Sequence, residues 1–251
     1  MSDIQTTFQR YEVKYLLDEA AYRRLRKKLE GRMKVDQYGK TTICNVYYDT
    51  PDARLIRMSL EKPVYKEKLR VRSYGVPQKD GIVFLELKKK YKGVVYKRRE
   101  TMILQEASRY LEQGEMPGFD SQVLHEIDWF LKYYQDICPA MYIAYDRIAL
   151  YGLEDSTLRI TFDCNIRWRD EQLSLQSGSW GDPLLKQGQY LMEIKIAQAM
   201  PLWLGELLDR DCIYPVSFSK YGIAYQKQQR NMKSHTKTEE QYEDKGGSNC
   251  A

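Results

Sequence analysis

The sequence predicts an α+β fold built on an antiparallel sheet of seven or eight strands. Three observations predict it. Apolar and polar residues alternate with strand period in many segments. Successive segments of this kind are joined by short turns of Gly, Pro and Asp, which marks a meander. Helical patterns do not alternate regularly with the strands, which argues against a parallel doubly wound sheet.

The elements follow in order. Phe8 to Leu17 reads as a strand. Asp18 caps a helix to about Glu30, with Tyr22, Leu25 and Leu29 on one face and Gly31 as its stop. Thr42 to Tyr48 reads as a strand, ended by Asp49-Thr50-Pro51-Asp52 and followed by a short helix. Tyr65–Tyr74 and Ile82–Lys90 are strands joined by a turn with Gly75, Pro77, Asp80 and Gly81. Lys92-Gly93 turns the chain into Val94–Leu104. Gln105–Gln113 and Ser121–Gln135 read as helices whose apolar stripes cover a core. Tyr142–Leu150, Thr157–Asp163 and Gln189–Ile196 return to strand character, and Leu202–Leu208 is a short helix after Pro201. One domain is expected over 1–226. From 227 to 251 the apolar content disappears, and an unstructured polar tail is expected.

Composition bounds the function. The chain has 251 residues, 43% hydrophobic, and a net charge of only +5. Residues 62–100 alone carry thirteen cations and four carboxylates, a local excess larger than that of the whole chain. Such a field fits a polyanionic partner, although a solvated Lys/Arg surface would account for it equally well. The five cysteines (Cys44, Cys138, Cys164, Cys212, Cys250) form no close pair, which disfavours a zinc site and fits a reducing compartment. No signal peptide pattern and no bilayer-spanning apolar run is visible, so a soluble, cytoplasmic protein is expected. No phosphate loop of the form G-x-x-x-x-G-K-S/T and no G-x-G-x-x-G after a strand occurs.

The most informative segment is Lys66-Glu67-Lys68-Leu69-Arg70-Val71-Arg72. On a strand, Lys66, Lys68, Arg70 and Arg72 share one face, and like charges so spaced repel unless an anion faces them. Similar faces recur: Glu12 with Lys14, Glu86 with Lys88 and Lys90, Tyr145 with Arg147, Arg159 with Thr161 and Asp163, and Glu193 with Lys195. Two arrangements remain open. The charged faces look outward from a half-solvated sheet, or the sheet closes and they line an interior. A lumen of Lys and Arg needs paired carboxylates or bound anions, and a polyphosphate chain supplies dense charge and acceptor oxygens.

At this point the residues resemble a known family, the VTC domain of polyphosphate polymerases, within the triphosphate tunnel metalloenzyme superfamily. The resembling segments are Arg10-Tyr11-Glu12-Val13-Lys14-Tyr15, Tyr47-Tyr48-Asp49-Thr50-Pro51 and Leu69-Arg70-Val71-Arg72-Ser73-Tyr74-Gly75. They continue with Phe84-Leu85-Glu86-Leu87-Lys88, Ala144-Tyr145-Asp146-Arg147 and Leu158-Arg159-Ile160-Thr161-Phe162-Asp163. Met192-Glu193-Ile194-Lys195 and Phe218-Ser219-Lys220-Tyr221-Gly222 complete the ordered set.

The resemblance implies a closed antiparallel β-barrel of about eight strands with helices outside and a cationic tunnel for a triphosphate and a divalent metal, Mn²⁺ or Mg²⁺. It implies an enzyme that passes the terminal phosphate of ATP to a growing inorganic polyphosphate chain. A metal-dependent triphosphate or nucleoside-triphosphate hydrolase and a non-catalytic polyphosphate-binding module are the alternatives. It implies Lys14, Arg70, Arg72, Lys88, Lys97, Arg147, Arg159, Lys195 and Lys220 as phosphate ligands, Ser219 as a phosphate hydrogen-bond donor and Glu193 as the metal carboxylate. A register shift would put Arg98 or Arg99 in the place of Lys97. Lys66 and Lys68 are expected at the tunnel mouth. Glu86 and Asp163 are expected as ion-pair partners rather than ligands.

Two departures accompany the resemblance. The opening strand carries Glu12-Val13-Lys14 and lacks the first carboxylate of an E-x-E-x-K pattern. Ser217 stands where a base is expected in the eukaryotic polymerases. The regulatory SPX domain and membrane helices of those complexes have no counterpart in the pattern, so a membrane partner would be a separate protein. The histidines, His125 and His235, fall outside the tunnel candidates, which favours oxygen ligands for a metal. A narrow tunnel would exclude a nucleic-acid duplex.

Overall fold

The computed structural model describes residues 11–92, 94–197 and 199–246. Nine strands form one sheet: β1 (Tyr11–Leu17), β2 (Met33–Asp49), β3 (Tyr65–Tyr74), β4 (Ile82–Tyr91), β5 (Val94–Ile103), β6 (Cys138–Gly152), β7 (Arg159–Arg169), β8 (Asp182–Pro183) and β9 (Tyr190–Ile196). The helices are α1 (Glu19–Leu29), α2 (Arg54–Leu60), α3 (Leu104–Gln113), α4 (Gln122–Tyr134), α5 (Leu202–Arg210) and α6 (Lys220–Gly246). The strand order is β1-β9-β7-β6-β2-β3-β4-β5, with β8 paired to β7, and the pairings are antiparallel.

The expected hydrogen-bonded closure is not made: among the described residues, the path ends at β1 on one side and β5 on the other. The physical reason lies at the free edge of β1. The segment before α6 occupies it, with the Val216 N–H donating to the Lys14 carbonyl at 2.7 Å and Pro215 bridging to Tyr15. These two contacts occupy the Lys14–Tyr15 part of that edge.

The outer face of the sheet carries two apolar clusters. Leu69, Val71, Leu85 and Leu87 pack against Tyr110 of α3 and Leu124, Ile127 and Phe130 of α4. Ile160, Phe162, Met192 and Ile194 pack against Leu25 and Leu29 of α1 and Leu204 and Leu208 of α5. The Asp18 carboxylate caps α1 by accepting the Ala21 N–H at 2.7 Å, and Gly31 turns out of it with a positive φ of 77°.

A third cluster sits on the inner face, where only charge was expected. Ile43, Met141 and Ile143 share that face with Tyr47 and Tyr145, and Ile56 of α2 and Tyr221 and Ala224 of α6 cover them. Helices thus pack on both sides of the sheet. The chain from 227 to 246, expected as an unstructured tail, continues the backbone of α6. Its Gln, Lys and Glu residues favour helix without needing a packed face; 247–251 lie outside the described residues.

Asp49 fixes the inner helices. Its fully buried carboxylate accepts the backbone N–H groups of Thr50 (2.8 Å), Leu55 (2.8 Å) and Ile56 (3.0 Å) and the Tyr221 hydroxyl at 2.9 Å. It thereby caps α2, whose own N-cap residue, Ala53, offers no side-chain acceptor. It also pins the first turn of α6. Asp49→Ala should destabilise the fold by about 3 kcal/mol, because charge-assisted bonds are lost and buried N–H groups are left unpaired. Thermal unfolding should shift down by roughly 10 °C, whereas Tyr221→Phe should cost about 1 kcal/mol. An unchanged melting temperature for Asp49→Ala would refute the capping role.

Candidate functional site

The inner face and the segment 216–226 enclose a cavity of about 830 Å³. The β3 row leads into it: Lys66, Lys68, Arg70 and Arg72 all line the wall. Register carries the row onto β4, where Lys90 pairs with Lys66 and Lys88 with Lys68. Lys14 enters from β1, Lys97 from β5, Arg147 from β6, Lys195 from β9, and Ser219 and Lys220 from the start of α6. Arg159 is opposite Lys195 in the β7–β9 register, but it is exposed and does not line the cavity.

Three buried carboxylates hold the cations in place. Glu86, 1% exposed, takes Arg70 at 2.7 Å, Lys97 at 2.9 Å, Arg99 at 2.5 Å and Arg72 at 3.6 Å. Burial alone would raise its pKa, but Arg70, Arg72, Lys97 and Arg99 overcome that and hold it well below the usual carboxylate range. Asp163 binds Arg147 bidentately at 2.6 and 2.8 Å and takes Lys220 at 2.6 Å. Glu193 is ringed by Lys220 (3.0 Å), Lys195 (3.1 Å), Arg147 (3.5 Å) and Lys14 (3.9 Å). Burial is opposed there by Lys220, Lys195, Arg147 and Lys14, and the Glu193 carboxyl stays ionised far below its ordinary value. Lys97 faces this group and Arg99 joins it at Glu86, whereas Arg98, the other alternative at that position, pairs with Glu126 instead.

Tyrosines and amides hold the remaining guanidinium positions. Arg70 Nη1 donates to the Tyr47 hydroxyl at 2.9 Å. Arg72 Nε donates to Asn45 Oδ1 at 2.9 Å and Nη2 to the Tyr145 hydroxyl at 3.3 Å. Lys14 Nζ donates to the Phe218 carbonyl at 2.8 Å, which ties β1 to the turn before α6.

Four participants were not among the expected ligands. Glu12 lines the cavity and reaches Lys88 at 3.6 Å and Lys14 at 3.7 Å. Its place two residues before Lys14, on the same strand face, was the available signal. Tyr145 shares its strand face with Arg147, which was the signal available for it, whereas Tyr47, between Val46 and Tyr48, offered none. Lys68, expected at the mouth, reaches Ser219 instead.

The donor set limits what metal can bind. Among the described residues, no three His, Cys, Asp or Glu side chains cluster for a metal. His125 is exposed on α4 and faces Asp120. Glu193 and Glu12 are the carboxylates that face the cavity from β9 and β1, and lysines compensate both. They fit a hard divalent ion of the Mg²⁺ kind only when phosphate oxygens and water complete its shell.

The chain can now be compared with known proteins. Similar folds occur in a candidate adenylate cyclase from Bacillus halodurans (16% identity, TM-score 0.52, 86% of this chain and 96% of that one). A candidate adenylyl cyclase from Hippeastrum, with a dominant triphosphatase activity, matches at 16% identity and a TM-score of 0.53 over 86% of this chain and 94% of that one. A candidate adenylate cyclase from Vibrio parahaemolyticus matches at 14% identity and 0.50 over 87% and 99%. At these identities the likeness is one of fold. No curated protein matches the sequence. Among the described residues, no helix is long and apolar enough to cross a membrane. The VTC domain profile matches residues 9–228, the span that contains the whole sheet and the cavity, and the chain belongs to the VTC domain family.

Proposed function

We propose that the protein transfers the terminal phosphate of ATP to a growing inorganic polyphosphate chain held in the cationic cavity. The observation that carries this reading is the set of cations brought from β1, β3, β4, β6, β9 and α6 to one cavity around Glu193. Phosphoryl transfer needs in-line positioning and charge neutralisation more than covalent participation. Arg70, Arg72 and Arg147 are suited to bidentate contact with phosphate oxygens, and Lys14, Lys88, Lys97, Lys195 and Lys220 to point-charge contact. Ser219 would donate to a phosphate oxygen, and Arg159 would meet a chain that extends past Lys195. Glu193, with Glu12, would hold Mn²⁺ or Mg²⁺ together with the phosphates. The bound ion would add charge neutralisation on the phosphate oxygens.

Family membership supports the polymerase reading. The triphosphatase activity of the Hippeastrum protein favours a second one, in which the same grip presents a triphosphate to water. A volume of about 830 Å³ suits a nucleotide or a short phosphate chain, not a nucleic-acid duplex. The unpaired Cys44, Cys138, Cys164 and Cys212 support a reducing setting.

Four outcomes are expected. Incubation with ATP and Mn²⁺ should yield long polyphosphate on a urea gel; free phosphate and short products alone would transfer the assignment to hydrolysis. Arg70→Ala or Arg72→Ala should each weaken triphosphate binding by about 10- to 100-fold. Glu86 keeps other cation partners in either variant, so the fold should survive. Lys66→Ala should change affinity about threefold or less, with an effect that depends on salt. Equal mild effects from all three would reduce the row to a solvated face. Glu193→Gln should bind metal-free triphosphate more tightly, because one compensating charge is gone, yet lose roughly 100-fold in metal-dependent turnover. Unchanged turnover in that variant would remove Glu193 from the metal site.

A further inference from the structure

Most cations that line the cavity wall already have a carboxylate. Lys14, Lys88, Lys97, Arg70, Arg72, Arg147, Lys195 and Lys220 share Glu12, Glu86, Asp163 and Glu193 among them. Lys68 is different. Its ammonium is half-buried in the same wall, and its contacts are the Ser219 hydroxyl at 3.3 Å and the face of the Tyr221 ring at 5.7 Å. A buried ammonium without a counter-charge is destabilising until an anion arrives. The Ser219 oxygen accepts both from Lys68 and from the Gly222 N–H at 3.2 Å, so its own hydrogen is free to donate outward. Both groups line the cavity together with Ser217, which carries no charge.

We propose that Lys68 and Ser219 form a subsite for a terminal phosphate, with Lys68 supplying its cation from β3 and Ser219 a hydroxyl donor. This assignment rests on the phosphate-cavity reading and names one grip within it. The ammonium has donors to spare after Ser219, and the serine hydroxyl adds another. The charged and titratable groups around Lys68 are Lys66 and Arg70 on β3, Lys88 on β4, Lys14 on β1 and Tyr221 on α6. Burial, reinforced by the Lys66, Lys88, Lys14 and Arg70 cations, brings the Lys68 pKa down to about 7. At pH 8 the free protein therefore holds Lys68 largely neutral. A phosphate beside it would raise that pKa again, so binding takes up a proton, and affinity falls as pH rises above 7.

The test is calorimetric titration of the full chain with metal-free inorganic triphosphate at pH 8, in two buffers of different ionisation enthalpy. Wild type should take up a proton on binding. Lys68→Met, which replaces an uncompensated ammonium by an apolar stem of similar length, should fold and melt at or above the wild-type temperature. It should bind about 10- to 100-fold more weakly and lose the proton uptake. Lys66→Met alone should keep the uptake. Wild-type affinity and uptake in Lys68→Met would overturn the subsite and leave the phosphate cavity standing. No triphosphate binding by wild type would overturn the cavity reading itself.

Discussion

The rest of the structure depends on three buried carboxylates, Glu86, Asp163 and Glu193, each of which holds more than one cation. A cavity wall with this many ammonium and guanidinium groups would repel itself apart in a low-dielectric interior. Placing each carboxylate under several cations solves the problem locally and fixes where each cation points. Arg147 illustrates this: Asp163 holds its Nε and Nη2 bidentately, and the same Nη2 lies 3.5 Å from Glu193. The pairing thus supplies stability and geometry at once, and the geometry is what phosphoryl transfer requires.

That arrangement works only if the carboxylates themselves are immobile, and the sheet provides this. Glu86, Asp163 and Glu193 all sit within strands, with apolar outward neighbours such as Leu85, Phe162 and Ile194 locked under helices. The contributors from outside the sheet are Lys220, the first residue of α6, and Ser219 just before it. Asp49 secures α6 through Tyr221, from the end of β2 and alongside the cap of α2. A residue with no part in the cavity therefore controls two that line it. The segment that reaches α6 is held at a second point as well, where Pro215 and Val216 meet Tyr15 and Lys14 on the edge of β1.

Much of this was legible in the sequence. The period-two pattern identified the strands and the charged face of each, because alternation is strictly local. Glu193 and the β3 row were legible for the same reason. The Asp18 cap and the Gly31 stop of α1 were equally local. What was not legible depended on distant pairing. Sheet closure hinged on whether residues 215 and 216 would take the edge of β1, some 200 residues away in sequence. The apolar half of the inner face required knowing that α2 and α6 pack there, since Ile143 and Arg147 share a face and period alone cannot say which residues a helix covers. The contact of Lys68 with Ser219 was not legible, because strand position fixes its face but not its reach.

The distribution of compensation also gives the cavity a direction. Deep in the wall, Arg70, Arg72, Arg147 and Lys220 are neutralised by carboxylates, so their charges are short-ranged and their geometry rigid. Toward the Lys66–Lys90 end of the β3–β4 pair, the carboxylates give out: Lys66 donates to the Ser59 carbonyl, and Lys68 to a hydroxyl. Uncompensated cations project a longer field, which captures anions at a distance and is screened by salt. Compensated cations contribute little to capture but hold a bound phosphate in a fixed frame. A polyanion therefore meets attraction first and orientation second along the same strand, and the alternating row Lys66, Lys68, Arg70, Arg72 is where one regime passes into the other.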